Sequence, residues 1–155
     1  GCGEGLREPQ AKAEQRGGAA FVSSNDVLAS WSRPRRSQSH HGGVGTAVPQ
    51  EYYGNVCALA VSLELLRSRL NAPVVIVSGY RTKAYNEQVG GVAKSQHLTA
   101  SAADIRLSGH TPSEVAATLE ELIDEGVIPQ GGIGTYPSQN FVHYDVRLYR
   151  ARWSG

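Results

Sequence analysis

Apolar residues recur at helical spacing along the middle of the chain. Val56 is followed by Leu59, Leu63, Leu66 and Leu70, with Glu64, Arg67 and Arg69 between them, the stripe of an amphipathic helix. Pro49 suits its first turn, and Asn71-Ala72-Pro73 ends it. Residues 74–77 are a β-branched run, which predicts a buried strand; Ser78-Gly79-Tyr80-Arg81 turns out of it. A short helix is expected over 84–89, closed by Gly90-Gly91. Residues 103–107 alternate, with Ala103, Ile105 and Leu107 on one face and Asp104 and Arg106 on the other. Thr111, Pro112 and Glu114 then write an N-cap, a first helical position and a capping box. The stripe of that helix is Val115, Leu119, Leu122 and Ile123, and Gly126 fits its C-terminal cap. Strands over 132–136 and 141–148 flank a Pro-Ser-Gln-Asn loop and read as an antiparallel hairpin. In the second of them Val142, Tyr144 and Val146 face one side, and Phe141, His143, Asp145 and Arg147 the other.

The N-terminal part lacks such order. Residues 1–20 are polar, Gly-rich and aperiodic, the pattern of a flexible tether. The first apolar residues lie in 21–31, and 32–46 reads as a surface loop rich in Arg, Ser, His and Gly. The expected organisation is therefore a tether over 1–20 and a single domain over 21–155. The fold class is α+β, a small antiparallel sheet with flanking helices.

Composition narrows the function. The 155 residues suffice for about one domain. Fifteen basic and fourteen acidic residues give a net charge of +1, without the basic excess that nucleic acid demands. With 40% apolar and 19% charged residues the chain is not disordered throughout. Its longest apolar run, 56–61, is far below the roughly 20 residues of a membrane span. Two cysteines are too few for a disulfide scaffold or a cysteine-built zinc site. Cys57, on the first helix, is expected to be buried and reduced, a small apolar filler. The start at Gly1 reads as a processed or engineered terminus. Cys2 ahead of a polar stretch looks like a mature bacterial lipoprotein, hence a lipid anchor at Cys2; an incidental cysteine is the alternative.

Of the five histidines, His40 and His41 fall in a polar loop and His110 precedes a helix cap, all surface settings. His97 and His143 differ. His97 lies just upstream of the strand that presents Asp104, and His143 lies within a strand beside Asp145. Two imidazoles and a carboxylate focused on one point make a zinc set with a fourth position for water. By spacing alone the signal is weak, and a loop-capping His97 and a satisfied strand His143 are the more ordinary account of the pattern.

Four blocks change that balance: SGYRT (78–82), YNEQVGG (85–91), SQHLTASAADIRL (95–107) and GGIGTYPSQNFVHYDVR (131–147). In this order they resemble the M15 family of zinc D-Ala-D-Ala peptidases, nearest to its murein peptidase branch, whose fold is shared with the hedgehog signalling domain. The resemblance runs over about 21–153. It implies zinc ligands His97, Asp104 and His143, and Arg81 in contact with substrate, where a guanidinium can grip a carboxylate or oxyanion bidentately. Ser95, Tyr136 and Asn140 are further candidates for substrate binding, and Tyr80, Tyr85 and Tyr136 either line a peptide cleft or only pack. Many members carry Asp or Glu three residues before the last histidine as general base; here that residue is Asn140, which takes no proton. A sub-branch with Asn there keeps an Asp two residues after the histidine, here Asp145. Two roles stay open for Asp145: a catalytic base, or a carboxylate that orients a ligand histidine or pairs with Arg106 or Arg147. Gly90-Gly91 and Gly131-Gly132 match no phosphate loop and read as tight turns near the site.

The reading that follows is a monomeric zinc peptidase of the bacterial cell envelope. Its substrates are peptidoglycan stem peptides, cut at bonds involving D-residues by water on zinc, as a carboxypeptidase or a murein endopeptidase. The competing class is a zinc-bearing domain that holds wall peptide or a protein partner without cleaving it, since fold alone does not fix function.

Overall fold

The computed structural model describes residues 48–155. The expected tether, the loop of 32–46 and the anchor at Cys2 lie outside the described residues.

A 3-10 turn, Gln50–Tyr52, leads into helix α1, Tyr53–Leu70. Asn71 in the left-handed region ends it, its amide bonded back to the Arg67 carbonyl, a conformation asparagine tolerates better than most residues. Strand β1 (Val74–Ser78) follows, then the short helix α2 (Lys83–Gln88), capped by the Thr82 side chain on the Tyr85 amide at 3.1 Å. A 3-10 turn, Gln96–Thr99, precedes β2 (Ala102–Leu107). Helix α3 (Pro112–Asp124) begins with the expected capping box, both halves of which are made by Thr111 and Glu114. Gly126 takes the positive φ of 73° just past its end. Strands β3 (Gly132–Tyr136) and β4 (Phe141–Asp145) form the antiparallel hairpin around a 3-10 turn, and β5 (Ala151–Ser154) ends the fold.

The five strands form one sheet in the order β1-β2-β4-β3-β5. All neighbours are antiparallel except β3 and β5, which are parallel. Among the described residues no helix is long and apolar enough to cross a membrane.

One face of the sheet is the core. Ala103, Ile105, Val142, Tyr144 and Ile133 join Leu59, Leu63 and Leu66 of α1 and Val115, Leu119 and Leu122 of α3 in a single buried cluster. Leu59, Leu63 and Leu66 have no exposed surface, so truncating any of them to Ala costs about 2–5 kcal/mol. The Tyr144 hydroxyl donates to the Pro129 carbonyl at 2.8 Å, which satisfies the polar end of a ring with no exposed surface.

Three sequence expectations are corrected here. Strand β1 is not the buried strand expected: it lies at the sheet edge, with Val75 52% exposed and the rest half-buried, because its β-branched run reports strand propensity and not position in the sheet. The last strand of the hairpin stops at Asp145, not Leu148: the Val146 amide still bonds to the Ser101 carbonyl in register with β2, but Leu148 sits at φ 75°, which no strand accommodates. Cys57 is buried as expected but is disulfide-bonded rather than reduced. Periodicity reports which face of a helix is buried and carries no information on the oxidation state of a sulfur.

Candidate functional site

The opposite face of the sheet carries the chemistry, and strand register assembles it. Ser78 pairs with Asp104, Asp104 with His143, His143 with Gly134, and Gly134 with Trp153. These five positions form one row across all five strands. Paired residues on neighbouring strands share a face, so Asp104 and His143 meet wherever the core residues beside them are correctly paired. His97 enters from the 3-10 turn before β2. That turn is fixed by Ser95, whose hydroxyl accepts from the His97 amide at 3.2 Å. It is tied further to α1 by Asn55 on the Thr99 carbonyl at 2.9 Å, and the Arg81 amide donates to the His97 carbonyl at 3.0 Å.

One donor atom each from His97, Asp104 and His143 lies within 4.8 Å of the other two, and all three residues are buried. His97 Nε2 is 3.3 Å and His143 Nδ1 3.1 Å from Asp104 Oδ1. The remaining ring nitrogens are both anchored: His97 Nδ1 lies 2.7 Å from the Gly79 carbonyl, and His143 Nε2 lies 2.7 Å from Asp145 Oδ2. For His97 the Gly79 carbonyl accepts only from N–H, which puts the ring proton on Nδ1 and turns the Nε2 lone pair inward; His143 has a carboxylate at each nitrogen, and a cation bound among the three donors would take the place of the proton that Nδ1 shares with Asp104. A ligand histidine needs this arrangement. The donor set therefore fits a divalent cation such as zinc.

Electrostatics follow from burial and partners. Burial pushes His97 below its ordinary value, outweighing the hydrogen bond and charge of Asp104. Burial acts to raise the Asp104 carboxyl, but the bonds and charges of His143 and His97 overcome it and hold the group well below the usual carboxylate range. Burial opposes charge on His143 as well, yet its two carboxylate neighbours raise it overall.

Asp145 has no exposed surface. Its Oδ1 accepts from the Gly132 amide at 2.9 Å and from the Arg147 amide and Nε at 3.2 and 2.8 Å. Its Oδ2 accepts from a terminal Arg147 nitrogen at 2.6 Å as well as from His143. The imidazole of His143 thus stands between Asp145 and Asp104. Of the two arginines considered for Asp145, Arg147 is the partner. Arg106 instead donates to the backbone carbonyls of Asn140 and Gln139 at 2.7 and 3.1 Å.

Arg81 lies beside the three donors, its side chain 17% exposed. Nε donates to Ser78 Oγ at 3.3 Å, and the two terminal nitrogens reach Asn86 Oδ1 at 3.4 Å and Asp104 Oδ2 at 3.3 Å. A guanidinium has five N–H groups, so one on each terminal nitrogen is left over among these contacts. Tyr136 lies on the same face, stacked on Phe141 at 4.4 Å between centroids. Asn140 is exposed in a left-handed conformation at the end of the turn before β4. Tyr80 packs on the core against Tyr52.

Three residues of the site went unread in the sequence: Gly79, Asn86 and Trp153. Asn86 is buried on α2, its amide donating to the Val92 carbonyl at 2.9 Å. Its signal was Gly91, where any Cβ would collide with the Asn86 side chain. Gly131 and Gly132 likewise leave room for Asp145; these glycines serve close approach rather than only tight turns.

Over 90 residues the chain is 36% identical to a Haemophilus influenzae protein named as a probable peptidoglycan L,D-endopeptidase MepK, taking in 55% of this chain and 45% of that one. The chain thus matches less than half of that relative's length. The pattern described as Peptidase M15 matches residues 34–145, a span that contains Arg81 and all three converging donors. The chain belongs to the peptidase M15 family.

Proposed function

We propose that the chain is a zinc-dependent peptidase that cuts peptidoglycan stem peptides in the bacterial cell envelope. The observation that carries this reading is the convergence of His97, Asp104 and His143 with their outer nitrogens already anchored. Zinc bound there supplies a Lewis acid for the scissile carbonyl and a water of lowered pKa. The remaining functions fall to the chain itself. Arg81 offers its two spare N–H groups to a substrate carboxylate or to the oxygen that gains charge on attack. Its bonds to Ser78, Asn86 and Asp104 fix it before substrate arrives. Asp145 orients His143, since its oxygens are already occupied by five donors. Ser95 acts through the turn that presents His97, and Tyr136 lines the approach to the site. The name of the Haemophilus relative specifies an L,D-endopeptidase, and on that ground we favour an endopeptidase over a D-Ala-D-Ala carboxypeptidase.

One observation favours the second reading, a zinc-bearing domain that binds wall peptide without cleaving it. Asn140 cannot ionise, and Asp145 is turned away from the three donors. Turnover of purified wall fragments, with and without chelator, separates the two. Chelator-sensitive release of new amino termini supports the peptidase; binding of fragments without release, at full zinc loading, supports the binding domain.

A further inference from the structure

Trp153 lies at the end of the cross-strand row, two strands from His143, yet touches it. Gly134 makes this possible: a Cβ there would collide with the indole, whose Nε1 and Cε2 lie over the glycine. The indole reaches across this gap to the His143 ring, with centroids 5.0 Å apart and planes tilted by 52°. His143 also meets the edge of His97 at 5.1 Å and 76°. The indole is itself held, Nε1 donating to the Tyr136 hydroxyl at 2.8 Å. The Arg147 guanidinium stands 5.5 Å from its ring, and the same guanidinium binds Asp145, which takes the outer nitrogen of His143. A closed circuit of contacts, Trp153–Arg147–Asp145–His143, therefore surrounds one imidazole.

Docking of β5 does not require this indole. Arg152, on the other face of the strand, anchors it through Glu120, the Gln130 side chain at 3.0 Å and the Gly131 carbonyl at 2.5 Å. We propose that Trp153 is a positioning residue for His143, its indole holding the imidazole at the angle from which Nδ1 faces the same point as His97 and Asp104. The two carboxylates meet His143 at its ring nitrogens, but hydrogen bonds accept a broad range of angles, so they set the tilt of the ring only loosely. An aromatic face packed on the ring narrows that range, and ligand geometry tolerates only about 10–20° of error.

The inference rests on metal binding at these three residues, and the test separates the two. The full chain is stripped of metal and titrated with zinc against a chromogenic chelator, as wild type, W153A, W153F and R152A. W153A is expected to weaken zinc binding about tenfold, the scale at which partners of metal ligands act. W153F keeps an aromatic face and recovers most of the affinity; R152A, which loosens the strand without touching His143, binds as wild type. In a W31F background, Trp153 emission changes as zinc saturates the site. Wild-type affinity in W153A overturns this inference alone, and equal losses in W153A and R152A reduce Trp153 to a strand anchor and overturn it too. If W153A does not fold, emission decides: a signal unmoved by saturating zinc overturns the proposal. Absence of zinc binding in the wild type overturns the metal site and this inference with it.

Discussion

Replacing Asp145 by Asn keeps the shape of the side chain and removes its charge. A carboxylate can accept on both oxygens, and here both do: three donors reach Oδ1, while His143 and Arg147 reach Oδ2. An amide has one oxygen, so its NH2 must face donors on one side or the other. The first consequence is for stability. Stripping one partner from a buried ion pair costs about 3–5 kcal/mol. The Arg147 side chain is 19% exposed and stays partly hydrated, so we expect about 2–3 kcal/mol. The second is for metal. Without a firm acceptor for its outer N–H, His143 loses orientation and basicity, and zinc affinity falls about 10–100-fold, or roughly 1.4–2.7 kcal/mol. Urea unfolding of the metal-free protein measures the first, a chelator-competition titration the second. Turnover should return as zinc is raised to saturation. Unchanged zinc affinity combined with turnover lost at saturating zinc would refute this reasoning and make Asp145 the proton acceptor.

Other substitutions probe the same site from other sides. Arg81→Ala should retain zinc and lower kcat/KM by about 2–4 kcal/mol in transition-state terms, the scale of one lost oxyanion donor, with Lys rescuing only in part; wild-type kinetics would make Arg81 structural. Asn140→Asp should fold normally, since Asp also tolerates the left-handed conformation, and should raise turnover by placing an ionisable group where much of the family has one; a drop in rate at full zinc loading would exclude that position for a base. Tyr144→Phe should destabilise the fold by about 1–3 kcal/mol because the Pro129 carbonyl loses its donor. Burial pushes the Tyr144 hydroxyl up to about 12, whereas an unfolded tyrosine ionises near 10. The wild type should therefore lose stability as pH rises from about 10 toward 12, and the gap between the urea midpoints of wild type and Tyr144→Phe should narrow between pH 9 and pH 11.

The parts of the fold that the sequence disclosed are those where one signal dominates. The leucines of α1 and the Thr111–Glu114 box are local patterns, and both formed as read. The alternation through Asp104 and His143 put both residues off the core face, and their convergence then followed from antiparallel pairing. Strand β5 was not readable: Ala151–Ser154 is short, carries no alternation, and is held by Arg152 on Glu120 and by pairing with β3. Both are contacts distant in sequence. Trp153 was missed for that reason. The choice of partner for Asp145 was equally out of reach, because Arg106 and Arg147 both sit on strands or their edges and only the path of the chain after Asp145 decides between them.

The row Ser78–Asp104–His143–Gly134–Trp153 has a consequence for how the molecule reaches its native form. If β4 slid by one residue against β2, His143 would turn into the apolar layer and Tyr144 out of it. The hydrophobic layer and the donor cluster are thus two readouts of a single alignment, and neither can form in a mispaired sheet. A cation that needs all three donors binds the correctly paired sheet and no slipped one, so its binding free energy adds to that pairing alone. Metal present during folding would then act as a proofreader of strand pairing, discriminating between alignments that hydrogen bonding along the backbone treats almost alike.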